Sequence, residues 1–262
     1  MNEKVIEALI QLFALIVKQD KGISSGERAY VECFLDHLEH GNAREYLQLL
    51  EKIAVVADEQ AEEVETEKKL MSVKTEVRVL ATCKKFTKMT MQQKVVMLMR
   101  IFEFVNVERS FTQHKRRILN ICADMFGVSD EDFQSIETFV LKDAPEELDR
   151  QNILLASGEK FEPKNAVFVE TPELQGIIAI LYLPSVDLFF LEYTGNETVL
   201  LNGLVVKNHR VYLFVSGSRV DMPNGNTVYY SDVVSHFLAN DHNNKFSNGW
   251  KTKFLNVLGG LK

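Results

Sequence analysis

Two short segments carry side chains that could hold a cation. Asp20-Lys21-Gly22-Ile23-Ser24-Ser25-Gly26-Glu27 sets two carboxylates and two hydroxyls within a single helix–turn–helix unit. Glu108-Arg109-Ser110-Phe111-Thr112-Gln113-His114-Lys115 repeats the arrangement at a constant offset. Asp20 then stands against Glu108, Ile23 against Phe111, Ser24 against Thr112 and Arg28 against Arg116. Carboxylate oxygens are the ordinary ligands of hard divalent cations, and Asp20, Glu27 and Glu108 are the carboxylates of these two segments. Two features oppose a symmetric metal site. Lys115 takes the place of Glu27 in the second copy, and an ammonium repels a cation. Asp20 and Glu27 are also too close in sequence for a calcium loop, whose closing glutamate comes about eleven residues after the first ligand. A simpler reading needs no ion: Asp20 ends a helix, and Ser24 with Glu27 forms a capping box at the next one. That reading is preferred. The expected cofactor is none, and the most a cation would show is weak divalent binding.

Other chemistry-bearing residues give less. The six histidines include His37 and His40, one helical turn apart, but surface histidines account for such a pair more simply. The three cysteines, Cys33, Cys83 and Cys122, have neither the spacing of a disulfide framework nor that of a zinc site, and read as buried reduced thiols. Met89, Met91, Met97 and Met99 read as adaptable core filler. No nucleophile elbow, Cys–His–Asn pattern or dinucleotide fingerprint appears. The end of the chain, Lys245-Phe246-Ser247-Asn248-Gly249-Trp250-Lys251-Thr252, faintly echoes a phosphate loop. Trp250 stands where a glycine must let the backbone approach phosphate, and no glycine opens the motif. The expectation is a protein without enzymatic activity and without ATP or GTP hydrolysis.

These residues must be positioned by two kinds of element. The chain has 262 residues, long enough for two cores. Ile6, Leu9, Ile10, Phe13, Ile16 and Val17 recur at helical spacing, and glutamates interrupt the run, so it reads as a buried helix rather than a signal peptide or a membrane span. Helical patterns continue to about Lys142. One helix carries Tyr30, Cys33, Phe34 and His37 on one face. Gly127 should stop a later helix, and Ser129 should cap the last. The charged run Asp58–Lys69 reads as a solvated face or connection. After Pro145 the composition changes, with Glu146–Arg150 as linker. Short apolar runs then alternate with turn signals, and Asn202-Gly203 is a strong hairpin signal. Ser231 should cap a closing helix. The expected fold class is α+β: an all-α domain over residues 1–143, a small antiparallel β-sandwich over 152–240, and a tail over 241–262. The net charge of −7 argues against a nucleic-acid partner.

The motif Asp20-x-Gly22-Ile23-Ser24-x-x-Glu27, with Gly127-Val128-Ser129 before the last helix, resembles the TerB-like domain named for tellurite-resistance proteins. The resemblance covers the first 142 or so residues and implies two helix–turn–helix copies whose acids are associated with metal or effector binding, which makes Asp20, Glu27 and Glu108 the candidate metal ligands. Gly195-Asn196-Glu197-Thr198-Val199-Leu200-Leu201-Asn202-Gly203, followed by Val215-Ser216-Gly217-Ser218-Arg219-Val220, is similar to half of a forkhead-associated β-sandwich. The Arg and Ser donors that read phosphothreonine in that fold have no counterpart here, which leaves the scaffold. Asn202, Gly203, His209 and Arg219 are the candidate partner-binding residues. Together the two parts resemble the N-terminal regulatory region of bacterial ABC-transporter ATP-binding proteins. The combination implies a cytoplasmic regulatory or protein-interaction module with a protein partner, such as a transporter subunit at the membrane, and no direct membrane insertion. The alternative is a divalent-cation-binding stress-response protein of the tellurite-resistance kind.

Overall fold

A computed structural model describes residues 3–17, 22–36, 43–55, 65–160, 162–172, 174–223 and 225–243. The fold is α+β. It divides into two units, Met1–Glu147 with Leu183–Asp187, and Leu148–Tyr182 with Leu188–Lys262.

Among the described residues, the α-helices of the first unit are α1 Glu3–Val17, α2 Ser25–Asp36, α3 Ala43–Val55, α4 Glu65–Cys83, α5 Met91–Asn106, α6 Gln113–Phe126 and α7 Asp130–Leu141. Helix α1 is apolar around most of its circumference, so burying one stripe would not suffice. It packs on α3, α4 and α5 instead, with Ile6, Leu9, Ile10, Phe13 and Ile16 fully buried. Phe13 stacks on Phe104 of α5 at 4.2 Å between ring centroids, and Tyr30 of α2 meets both rings edge-on. Glu27, Tyr30, Val31 and Leu35 are the buried residues of α2, while Cys33 and Phe34 are half-buried and His37 lies outside the described residues.

The helix ends follow their local chemistry. Thr90 and Gln93 close a capping box at α5. Gly127, at φ 72°, ends α6, and its amide and that of Val128 satisfy the last carbonyls. Ser129 accepts from the Asp132 amide and caps α7. The four methionines divide: Met97 and Met99 are core residues, whereas Met89 and Met91 are half-buried. Most of the charged run before Lys69 falls outside the described residues, as does the whole phosphate-loop echo with Trp250, Lys251 and Thr252.

Among its described residues the second unit holds nine strands and an α-helix. One sheet has the order β2-β1-β3-β4-β7, from β1 Ile153–Ser157, β2 Val167–Glu170, β3 Gly176–Leu183, β4 Leu188–Gly195 and β7 Val211–Phe214. The other is β6-β5-β8-β9, from β5 Leu200–Leu201, β6 Leu204–Val205, β8 Arg219–Asp221 and β9 Thr227–Tyr229. Both sheets feed one core, in which Ile178, Ile180, Phe189, Leu191 and Phe214 meet Val199, Leu201, Val220 and Met222. Helix α8, Tyr230–Asn243, adds Val233 to that core and lays Phe237 beside Tyr182 and Phe189. It begins at Tyr230, one residue before the serine expected to cap it.

The sheets are not wholly antiparallel as expected, because β1 and β2 pair in parallel, Leu154 against Val167. A parallel partner needs a crossing connection. Asp149 fixes the end of that crossing: Oδ1 accepts from the amides of Asn165 (2.6 Å) and Ala166 (2.9 Å), and Oδ2 from that of Lys164 (3.1 Å). The Ala166 amide first, then that of Asn165, hold the Asp149 carboxyl below the ordinary carboxylate range. The segment expected to be a linker is therefore structured. Pro145–Leu148 makes a 3-10 turn with Leu148 buried, and Asp149 anchors the loop before β2.

Candidate functional site

Two of the acidic candidates, Glu27 and Glu108, lie where the two helix–turn–helix copies meet. Ser24 and Glu27 form the expected capping box: the Glu27 amide donates to Ser24 Oγ and the Ser24 amide donates to Glu27 Oε2, each at 3.0 Å. The Ser24 hydroxyl proton has a further use. It goes to Oε1 of Glu108, the acid of the second copy, in a short hydrogen bond. Gly26 faces the same carboxylate, and a Cβ there would lie 2.8 Å from Glu108 Oε1 and 3.0 Å from Val107 Cγ1. One small residue thus lets the turn of one copy approach the helix end of the other.

The second copy uses different chemistry at the matching place. Thr112 Oγ1 accepts from the Lys115 amide at 3.3 Å, so the cap is retained. Lys115 itself is fully buried and bends back, its ammonium donating to Ser110 O and Oγ at 3.2 Å each. Where the first copy presents a carboxylate acceptor, the second presents a donor that closes its own turn. The matched arginines behave alike. Arg28 pairs with Glu51 on α3, and Arg116 with Glu137 on α7.

The structure therefore brings Glu27 and Glu108 together through one serine, and Asp20 lies outside the described residues. Among the described residues no group of three or more His, Cys, Asp or Glu side chains is placed to hold a metal ion. Glu27 Oε2 and Glu108 Oε1 already accept from protein donors, and a cation would have to compete with them. Titration calorimetry with calcium, magnesium, manganese and zinc should accordingly show millimolar binding at best. A micromolar site abolished by Asp20→Ala or Glu108→Gln would establish a metal centre at this corner.

The β-unit candidates separate into two places. Asn202 (φ 53°) and Gly203 (φ 84°) make the tight turn of the β5–β6 hairpin, as the dipeptide indicated, with Leu200 paired to Val205 and Leu201 to Leu204. Asn202 also ties the hairpin to β8: Oδ1 accepts from the Arg219 amide at 2.9 Å, and its own amide donates to the Arg219 carbonyl. Arg219 lies beside this turn and pairs with Asp221 at 3.1 Å. His209 belongs to the other sheet. Its amide donates to Tyr193 O, and its Nδ1 lies 3.5 Å from Glu192 Oε1, an ion pair when the imidazole is protonated.

No family model, no curated protein and no solved structure matches this chain.

The hairpin carries a feature that the residue types did not reveal. Leu204 is 73% exposed and Val205 60%, at the free edge of the four-stranded sheet, while Val215 and Tyr229 are each about half exposed. Leu204-Val205-Val206 is one apolar run, and only Val206 is buried. Nothing in the residue types distinguishes the covered valine from the two open neighbours. The difference comes from their position at an edge with no further strand among the described residues.

Proposed function

We propose that this chain is a non-catalytic regulatory or protein-interaction module, built from a TerB-like helical domain and a forkhead-associated-like β domain. It serves the cytoplasmic side of a bacterial ABC transporter, with a transporter subunit as its partner. The observation that carries the interaction reading is the β6 edge. Natural edge strands are usually blunted by charge, proline or a covering loop, because open backbone groups beside apolar side chains invite another strand. Here the edge presents Leu204 and Val205 instead. Arg219 beside the turn supplies a cation with which an incoming acidic group could pair. The acids at the paired caps are engaged with protein donors, which suits a structural role in setting the angle between the two copies. Among the described residues no helix is long and apolar enough to cross a membrane, in keeping with a module that reaches the membrane through its partner.

A photo-crosslinking amino acid at position 204 or 205, expressed in cells, tests the proposal. The expected adduct is with an ABC-transporter ATPase or permease subunit, and the same probe at the exposed Lys88 of the helical unit should not give it. Adducts lacking any transporter subunit would sink the transporter assignment. Equal adducts from Lys88 would remove the edge strand from the interaction.

A further inference from the structure

The three cysteines read in sequence as independent thiols, but folding brings two of them together. Cys83 is the last residue of α4 and Cys122 lies within α6. Their sulfurs are 3.7 Å apart and hydrogen-bonded, and both side chains are buried. The contact is fixed on either side of the sulfurs. Phe86 and Phe126, one helical turn further along, pack edge-to-face at 5.3 Å, and Arg117 of α6 pairs with Glu76 of α4 at 3.0 Å. A disulfide needs its sulfurs at about 2.05 Å. The gap to be closed is on the order of 1.7 Å, a distance that side-chain rotation about χ1 can cover.

We infer that Cys83 and Cys122 are a latent disulfide, formed by a small neutral two-electron oxidant such as hydrogen peroxide. One thiol attacks the peroxide, breaking the O–O bond to give a sulfenic acid and water. The second sulfur then attacks the first and expels the sulfenic oxygen as a second water. The peroxide is reduced, the two sulfurs are oxidised by one electron each, and both thiol protons leave in water. The hydrogen bond with Cys83, and then burial, push the Cys122 thiol up, so that sulfur is a poor nucleophile and the oxidation is slow. Charged or bulky oxidants meet closed apolar packing. Once formed, the bond ties α4 to α6 across 39 positions of chain, which restricts the unfolded state. The oxidised protein is therefore expected to melt several degrees higher than the reduced one.

The test uses the full wild-type chain, incubated folded with hydrogen peroxide, then denatured, alkylated and digested. The expected product is a peptide pair joining Cys83 to Cys122, cleaved by dithiothreitol, with Cys33 outside the bridge and a raised melting temperature. The Cys33→Ser variant should give the same pair at the same rate, and it keeps the test open if Cys83→Ser or Cys122→Ser fails to fold. Full alkylation of both Cys83 and Cys122 after peroxide treatment would overturn the inference, as would a bridge that includes Cys33.

Discussion

Gly176→Ala should cost the β unit about 3 kcal/mol or more, enough to unfold a marginal domain. Gly176 has φ +123°, a conformation that L side chains rarely adopt and that carries a strain of roughly 1–3 kcal/mol. The new Cβ would also lie 2.4 Å from Thr194 O and 2.8 Å from Gly195 Cα, both backbone atoms of β4. Backbone in mid-sheet cannot rotate away as a surface side chain would. Tyr193, the third neighbour at 3.1 Å, is held as well: its hydroxyl donates to Gln175 O at 2.9 Å and accepts from the Glu197 amide at 3.0 Å. Overpacking of this kind adds roughly 1–3 kcal/mol. Gly217→Ala is the matched control, since φ there is +85° with nothing within 4 Å of the new Cβ, so only backbone strain of about 1 kcal/mol remains. Urea unfolding followed by circular dichroism reads both variants. Equal losses would mean that steric overlap at Gly176 is relieved and the packing argument is wrong.

Phe13→Ala is expected to cost the helical unit about 3–5 kcal/mol. The ring is fully buried, stacked on Phe104 at 4.2 Å and met edge-on by Tyr30 at 6.0 Å and Phe34 at 6.4 Å. Removing it opens a void bordered by three helices, and the aromatic contacts are lost with the transfer energy. Val77→Ala on α4, where the side chain is 58% exposed, should stay within about 0.5 kcal/mol. Denaturant midpoints at unchanged slope compare the two. A Phe13→Ala loss below about 1.5 kcal/mol would show that the neighbours collapse into the space.

Local chemistry was legible in the sequence wherever it decides structure locally. Ser24 with Glu27, Gly127, Ser129 and the Asn202-Gly203 turn all act within a few residues of themselves, and each does what its type dictates. What the sequence hid depends on partners distant along the chain. Ile153-Leu154-Leu155-Ala156-Ser157 is too short and too uniformly apolar to declare itself a strand, and its parallel pairing depends on Asp149 reaching residues 164–166. Lys115 stands in sequence only as the ammonium in the place of Glu27, and nothing in its spacing shows that it is buried where the Ser110 turn supplies two acceptors. The pairing of Cys83 with Cys122, and of Ser24 with Glu108, arises only once α4 meets α6 and α2 meets the end of α5. At the acidic corner, which carboxylate each donor would choose was not written in their spacing.

The hydroxyl of Ser24 belongs to two structures at once. It caps α2 by accepting from Glu27, and it spends its only proton on Glu108 just beyond α5. The entry to α2 and the exit from α5 are therefore hinged on a single oxygen, with Gly26 leaving no slack between them. A force that pulls Glu108 outward would act directly on the Ser24 hydroxyl that caps α2. Motion at one turn would then reach the other through a joint at the surface, without first disturbing the aromatic stack beneath it.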